Sequence, residues 1–221
     1  MSSLLVLTPL RIEQIALGAV PGARVLRTGM GPARARIAAA RAQADTASCV
    51  AVAGLCAGAG PELRTGDVVC AIVVIGDDGV RVGVPASEQL AEGLRRRGFH
   101  VHLGALYSAS RILGPDERRA LAPEILGVDM ESAWLASGSA GRPFAVARVV
   151  VDEAGRRLAD PRMAIAGPRA LRALRRLGGG LAEWASTAAA PGPEADRAAA
   201  GDVLPAEPSE PLPAASRGDG C

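Results

Sequence analysis

Residues 49–60 read Cys49-Val50-Ala51-Val52-Ala53-Gly54-Leu55-Cys56-Ala57-Gly58-Ala59-Gly60. The Cys49–Ala53 run is continuously apolar rather than alternating, the pattern of a strand buried on both faces. The Gly54–Gly60 stretch that follows reads as a loop in which backbone can approach a ligand closely. Runs of the same texture recur at Leu4–Leu7, Ala23–Arg27, Val68–Ile75, His100–Ala105 and Ala145–Val151. Between them lie segments predicted as helices: Arg11–Leu17, Pro32–Ala44, Ser87–Arg97, Pro115–Ala122, Glu131–Ser137 and Pro168–Ala185. In the last of these Leu171, Leu174, Leu177, Leu181 and Trp184 recur at helical spacing opposite an arginine face, as in a helix that packs on a core. Strands alternating with helices predict a three-layer α/β sandwich.

The chain has 221 residues, 49% of them hydrophobic, enough for one sizeable core. From about Ser186 the composition shifts to Ala, Pro, Glu, Ser and Gly without a periodic apolar face, so residues 1–185 are read as the domain and 186–221 as a tail. Within that tail Pro191–Cys221 buries too little to offset its ordering entropy and is predicted to be disordered. The net charge of +2 gives no reason to expect a nucleic-acid partner. All 25 basic residues are arginine. Without lysine, Schiff-base catalysis and a P-loop are both excluded. The four cysteines form no C-x-x-C pair, and Cys49 and Cys70 sit in apolar runs, so a reduced, cytoplasmic protein without a disulfide framework is expected. The first residues read as a buried strand rather than a signal peptide. No apolar run approaches the ~20 residues of a membrane span, so no stable membrane insertion is expected.

In open α/β sheets ligands bind beyond the carboxyl ends of the strands. Four groups of polar or glycine residues are predicted to meet there: Glu13 after the first strand, the Gly54–Gly60 stretch, Met130-Glu131 after an apolar segment beginning near Ile125, and Asp152 at the end of the Ala145–Val151 run. A carboxylate at a helix start beside a thioether can accept two hydrogen bonds from a vicinal diol while the methionine packs a sugar face. The plain alternative is a helix N-terminus, with Asp129 as cap and Glu131 favoured by the dipole. An acid ending an apolar strand is poorly solvated, which favours its protonated, hydrogen-bond-donating form; the alternative is a strand-terminal turn residue. For Glu13 the alternative is an exposed first-turn helix acid. His100 and His102 share one strand face but have no third ligand nearby, so a metal site is not expected.

The segment Val128-Asp129-Met130-Glu131-Ser132 resembles the V-[DE]-M-E-[SAT] motif of the purine nucleoside phosphorylase/nucleosidase family. Three further features are similar to that family and lie in the same order. They are Thr28-Gly29-Met30-Gly31-Pro32, the Gly54–Gly60 stretch with its Leu63-Arg64-Thr65-Gly66-Asp67-Val68-Val69 continuation, and the acids Glu13 and Asp152. The resemblance runs from Leu4 to about Asp152 and implies a phosphorylase/hydrolase-like sandwich with a central mixed sheet. It further implies cleavage of the N-glycosidic bond of an adenosine-type nucleoside. Asp152 would protonate purine N7, Glu13 would activate water, Glu131 would hold the ribose diol and Met130 would pack the sugar, the logic of two carboxyl groups with separated proton affinities. Gly54, Cys56, Ala57, Gly58 and Tyr107 would line the substrate site, and Arg11 and Gly29 would bind phosphate in a phosphorylase.

The sequence also departs from the family. Tyr107 is the one aromatic available near the base pocket, Val151 replaces the serine that commonly precedes the aspartate, and Asp129 replaces the commoner glutamate. Val52-Ala53 stands where hexameric phosphorylases carry an arginine, which tilts the reading toward water as nucleophile, with phosphate the co-substrate otherwise and no further cofactor. The short, lysine-free chain also resembles hopanoid-associated nucleosidases/phosphorylases, which would make adenosylhopane the substrate. The resemblance implies a homo-oligomer as well. Two other readings stand beside it: a nucleoside sensor without turnover, and a dinucleotide-binding oxidoreductase using Gly29 and Gly31, in which the third glycine of the fingerprint would fall at Arg34.

Overall fold

The computed structural model describes residues 4–152 and 163–188. Strands β1 (Leu4–Thr8), β2 (Ala23–Arg27), β3 (Cys49–Gly58), β4 (Val68–Gly76), β5 (Arg81–Gly83), β6 (Val101–Ser108), β7 (Ile125–Asp129) and β8 (Phe144–Asp152) form one mixed sheet. Helices α1 (Arg11–Leu17), α2 (Pro32–Gln43), α3 (Ala86–Arg96), α4 (Pro115–Arg119), α5 (Ser132–Leu135) and α6 (Met163–Ala188) complete the described chain, with a 3-10 turn at Ala136–Ser139.

Why the strands are continuously apolar is visible in β1, whose five residues are all buried. Leu4 and Val6 enter one core with the Leu174, Leu177, Leu181 and Trp184 face of α6, while Leu5 and Leu7 enter another beneath α2 and α5. Neighbouring strands repeat this: Ala51 and Ala147 face the first core, Val52 and Val146 the second. Each buried Leu or Val contributes roughly 1.5–3 kcal/mol relative to exposure. The sheet is therefore the middle of three layers. The α2 layer approaches so closely that a Cβ on Gly138 would lie 3.0 Å from that of Ala42 and 3.1 Å from the Ala39 backbone.

β3 is the strand around which the site is organised. It runs parallel to β1 and β8 and meets β7 antiparallel at its far end. β8 pairs with β4, β4 with β6 and β6 with β7, so five strands close into a ring. Here the expected Gly54–Gly60 loop is corrected: the strand continues to Gly58. Gly54, Leu55 and Cys56 pair with Arg148, Val149 and Val150, and a register shift follows between Cys56 and Ala57. These glycines serve close lateral packing rather than a turn. The segment near Ile125 is likewise a strand, β7, and the short β5 edge gave no periodic signal in the sequence.

The final helix starts at Met163, earlier than the expected Pro168, and runs three residues beyond the expected Ala185, past the proposed tail boundary at 186. The Pro191–Cys221 stretch lies outside the described residues. The predicted Glu131–Ser137 helix is a four-residue helix followed by the 3-10 turn. His102 lies 3.2 Å from the Asp67 carboxylate, and no cluster of three His, Cys, Asp or Glu among the described residues could hold a metal. No helix among them is long and apolar enough to cross a membrane.

Candidate active site

A cavity of about 190 Å³ opens beyond the carboxyl ends of β1, β3, β7 and β8. Glu13, Cys56, Ala57, Met130, Glu131 and Asp152 all line it, so residues up to 139 positions apart in the chain meet as predicted. Arg11, Gly29, Gly54, Gly58 and Tyr107 are not part of its lining. Arg11 is exposed on α1. Tyr107 packs against the cluster of Ala105, Ala109, Ile125 and Val128, and the chain after β6 lines the cavity with Arg111, Ile112 and Leu113.

Glu13 is not an exposed first-turn acid: only 2% of it is accessible. The short α1 carries it back over the sheet, where its carboxylate accepts the Leu10 and Leu55 amides, each at 2.7 Å, and the Thr8 hydroxyl at 3.3 Å. Burial raises its pKa, partly offset by the Arg148 charge and the two amide donors. A carboxyl so held gains proton affinity, which suits a base taking a proton from water.

Glu131 begins α5 and is buried. Its Oε1 accepts the Gly31 amide at 3.0 Å, which explains the Gly29-Met30-Gly31 turn: Gly31 has φ +88°, a left-handed backbone that L side chains seldom adopt. That amide is used inside the protein, unlike the free amides a dinucleotide phosphate would need. Desolvation pushes Glu131 up to about 7, with Arg148 opposing and Asp129 reinforcing the shift.

Asp129 does not simply cap a helix. Its carboxylate accepts the Ser108 hydroxyl at 2.6 Å, the Glu131 and Ser132 amides at 3.1 and 3.2 Å, and the Ser132 hydroxyl. It also forms an ion pair with Arg148 at 2.7 Å. Arg148 itself is wholly buried, with Glu131 at 3.6 Å and two donor contacts to the Ser132 hydroxyl at 3.1 and 3.0 Å. Burial works against its charge, but Asp129, Glu131 and Glu13 more than offset this and raise its pKa. Gly54 makes the room: a Cβ there would sit 2.5 Å from Arg148 Nη1 and 2.8 Å from Glu13 Oε1. The sequence reading passed over Arg148; a charge in the middle of an otherwise apolar strand is the signal that could have found it.

Asp152 is 2% accessible, but its surroundings are not purely apolar. Arg118 Nη2 donates to its Oδ2 at 2.8 Å. The strand end is therefore not purely apolar, since a buried guanidinium stands beside the carboxyl where the sequence suggested only apolar neighbours. Cys56 is buried, and desolvation pushes its thiol up to about 12, so it is an inert wall residue. Met130 is partly exposed at the same wall.

Among the described residues four buried carboxyl groups, Glu13, Asp129, Glu131 and Asp152, line one cavity, with Asp129 paired to Arg148 and Asp152 to Arg118. The model of the phosphorylase superfamily matches residues 14–177. No curated protein matches the chain in sequence. Among solved structures, the Campylobacter jejuni 5′-methylthioadenosine/S-adenosyl homocysteine nucleosidase is similar with a TM-score of 0.71 at 11% identity, covering 85% of this chain and 100% of that one. The Neisseria meningitidis 5′-methylthioadenosine/S-adenosylhomocysteine nucleosidase in complex with methylthio-immucillin-A gives 0.68 at 21% identity, covering 84% and 99%. Futalosine hydrolase of Helicobacter pylori gives 0.67 at 14%, covering 84% and 97%. At these identities the likeness bears on the fold, and the family match bears on descent. Together they place the protein: it is a member of the phosphorylase superfamily.

Proposed function

We propose that the protein hydrolyses the N-glycosidic bond of an adenosine-type nucleoside. The observation that carries this reading is the convergence of Glu13, Glu131 and Asp152 on one cavity. Glu131 accepts hydrogen bonds from the ribose diol, Met130 packs the sugar, Glu13 activates water and Asp152 meets the purine at N7. Water is favoured over phosphate because, among the described residues, the arginines lining the cavity are engaged: Arg118 with Asp152 and Arg111 with Glu117 at 2.5 Å. A phosphorylase needs guanidinium groups for its anion.

The wall around the mouth is apolar, with Pro9, Leu10, Met30, Ile112 and Leu113. Leu10, Met30 and Ile112 remain exposed. This suits a bulky apolar 5′ substituent, and the adenosyl derivative of a hopanoid is the proposed substrate of that kind. Adenine release from adenosines bearing methylthio, homocysteinyl and polycyclic hydrocarbon 5′ groups, with and without phosphate, tests both points. The expected result is phosphate-independent release that is fastest for the apolar substituent; release only with phosphate would refute hydrolysis.

A nucleoside-binding protein without turnover is the second reading, favoured by the engagement of Asp152 by Arg118. Tight binding of the same compounds without base release would establish it. A homo-oligomer is also proposed, in which a second copy covers the exposed Ile12 and Ile15 of α1. Sedimentation should show a dimer or larger species that dissociates in I12E/I15E, and a monomeric wild type would refute it.

A further inference from the structure

Arg118 lies in the charged run Asp116-Glu117-Arg118-Arg119, whose other members are exposed, yet only 2% of Arg118 is accessible. Its Nη1 donates to the Gly58 carbonyl at 3.2 Å and to the Asp152 carbonyl at 3.5 Å, while Nη2 holds the Asp152 carboxylate at 2.8 Å. One guanidinium thereby joins α4 to the ends of β3 and β8 at the cavity wall. The residue before the aspartate, Val151, has no side-chain hydrogen bond to give. A fork with fixed geometry is suited to fixing the direction of a carboxylate.

We propose that Arg118 is the positioning residue for Asp152, holding it in the cavity as a carboxylate, so that the purine is protonated by a proton taken up from solvent when nucleoside binds. This rests on the glycosidic-cleavage reading. The incoming proton is shared between Asp152 and purine N7. As the C1′–N9 bond breaks, its electron pair goes to the base and the proton stays on N7, returning Asp152 to its carboxylate beside Arg118. Water adds its oxygen to C1′ and gives a proton to Glu13, which releases it to solvent. One proton enters, one leaves, and one water is consumed.

Among the described residues, the charged and titratable groups around this carboxylate are Arg118 of α4, Arg111 before it, Cys56 of β3, and Glu13, Asp129 and Glu131 on the same cavity, with Arg148 buried against Asp129. Cys56, at about 12, is silent in the working range. Glu13 and Glu131 shape the pH profile in every variant alike, so a difference caused by Arg118 is separable from theirs.

The test uses the full chain as wild type, R118M and R118K. The Asp152 carboxyl 13C resonance, assigned by its loss in D152N, is titrated alongside the pH profile of kcat for adenine release. In the wild type the resonance is expected to be that of a carboxylate from roughly pH 5 to 8. In R118M it should titrate about one pH unit or more higher, with the alkaline limb of kcat moving the same way. In R118K, which keeps charge but loses the fork, the limb should stay near the wild-type position while kcat falls about tenfold. A wild-type Asp152 protonated near neutral pH, or a folded R118M whose Asp152 titration and kcat limb do not move, overturns the proposal. The wild-type titration decides the charge state even if R118M fails to fold. If no nucleoside is cleaved by the wild type, the glycosidic-cleavage reading fails by itself, and the resonance still reports whether Arg118 holds Asp152 ionised.

Discussion

Arg148 sets the charge balance of the site. It is the buried guanidinium toward which Asp129, Glu131 and Glu13 all act. Burial raises the proton affinity of both Glu131 and Glu13 against the opposing charge of Arg148, and at Glu131 the neighbouring Asp129 and Glu13 carboxylates add to the shift. Removing the cation strands those groups. R148M is expected to destabilise the protein by about 3–5 kcal/mol, read as a lower urea midpoint, whereas an unchanged midpoint would show that Arg148 is not the counterion. For Glu131 the sign follows from its raised value of about 7 in the fold against an ordinary value of 4.5 for a solvated glutamate. The folded state binds the proton more tightly, so this contribution is complete below about pH 4.5 and is lost as pH rises through about 7. E131Q cannot ionise, so its melting temperature relative to wild type should improve between pH 5 and 7.5; a pH-independent difference would contradict the assigned shift. Glu13, Glu131 and Asp152 were legible in the sequence because each follows a strand-like run or opens a helix. Arg118 was not, since an arginine inside a charged run reads as solvated surface.

At the scale of elements, β3 decides how the site is built. Its apolar first half was legible from composition alone, but Gly54 and Gly58 mimicked a loop. What glycine supplies here is lateral room: Arg148 and Glu13 press on Gly54, and the Asp152 carbonyl lies 3.3 Å from where a Gly58 Cβ would be. Sequence texture does not separate glycine chosen for a turn from glycine chosen for close approach, because both need the missing side chain. G54A should therefore displace Arg148 and Glu13 together, costing about 1–3 kcal/mol of stability and lowering kcat about a hundredfold. Wild-type turnover in G54A would show that the glycine belongs to the backbone and not to the site. Of the predicted α6 face, Leu174, Leu177, Leu181 and Trp184 are buried, and Leu171 is half-buried at its edge. β7 escaped because its pairing with β3 and β6 is non-local.

Across the whole molecule, closure of β3, β8, β4, β6 and β7 into a ring gathers the strand ends around one cavity. Alternation of strands and helices was enough to anticipate three layers, but the ring depends on which distant strands pair. The arrangement places Glu13 from the first helix, Glu131 from the β7–α5 junction and Asp152 from the end of β8 around a common volume. Its chemical consequence is most directly tested by base release from a 5′-substituted adenosine in phosphate-free buffer, comparing wild type with D152N and E131Q. Wild type should release adenine without phosphate, with kcat/KM reduced at least about a hundredfold in each variant. Equal release by wild type and both variants would contradict the assignment of this cavity as the site of glycosidic cleavage.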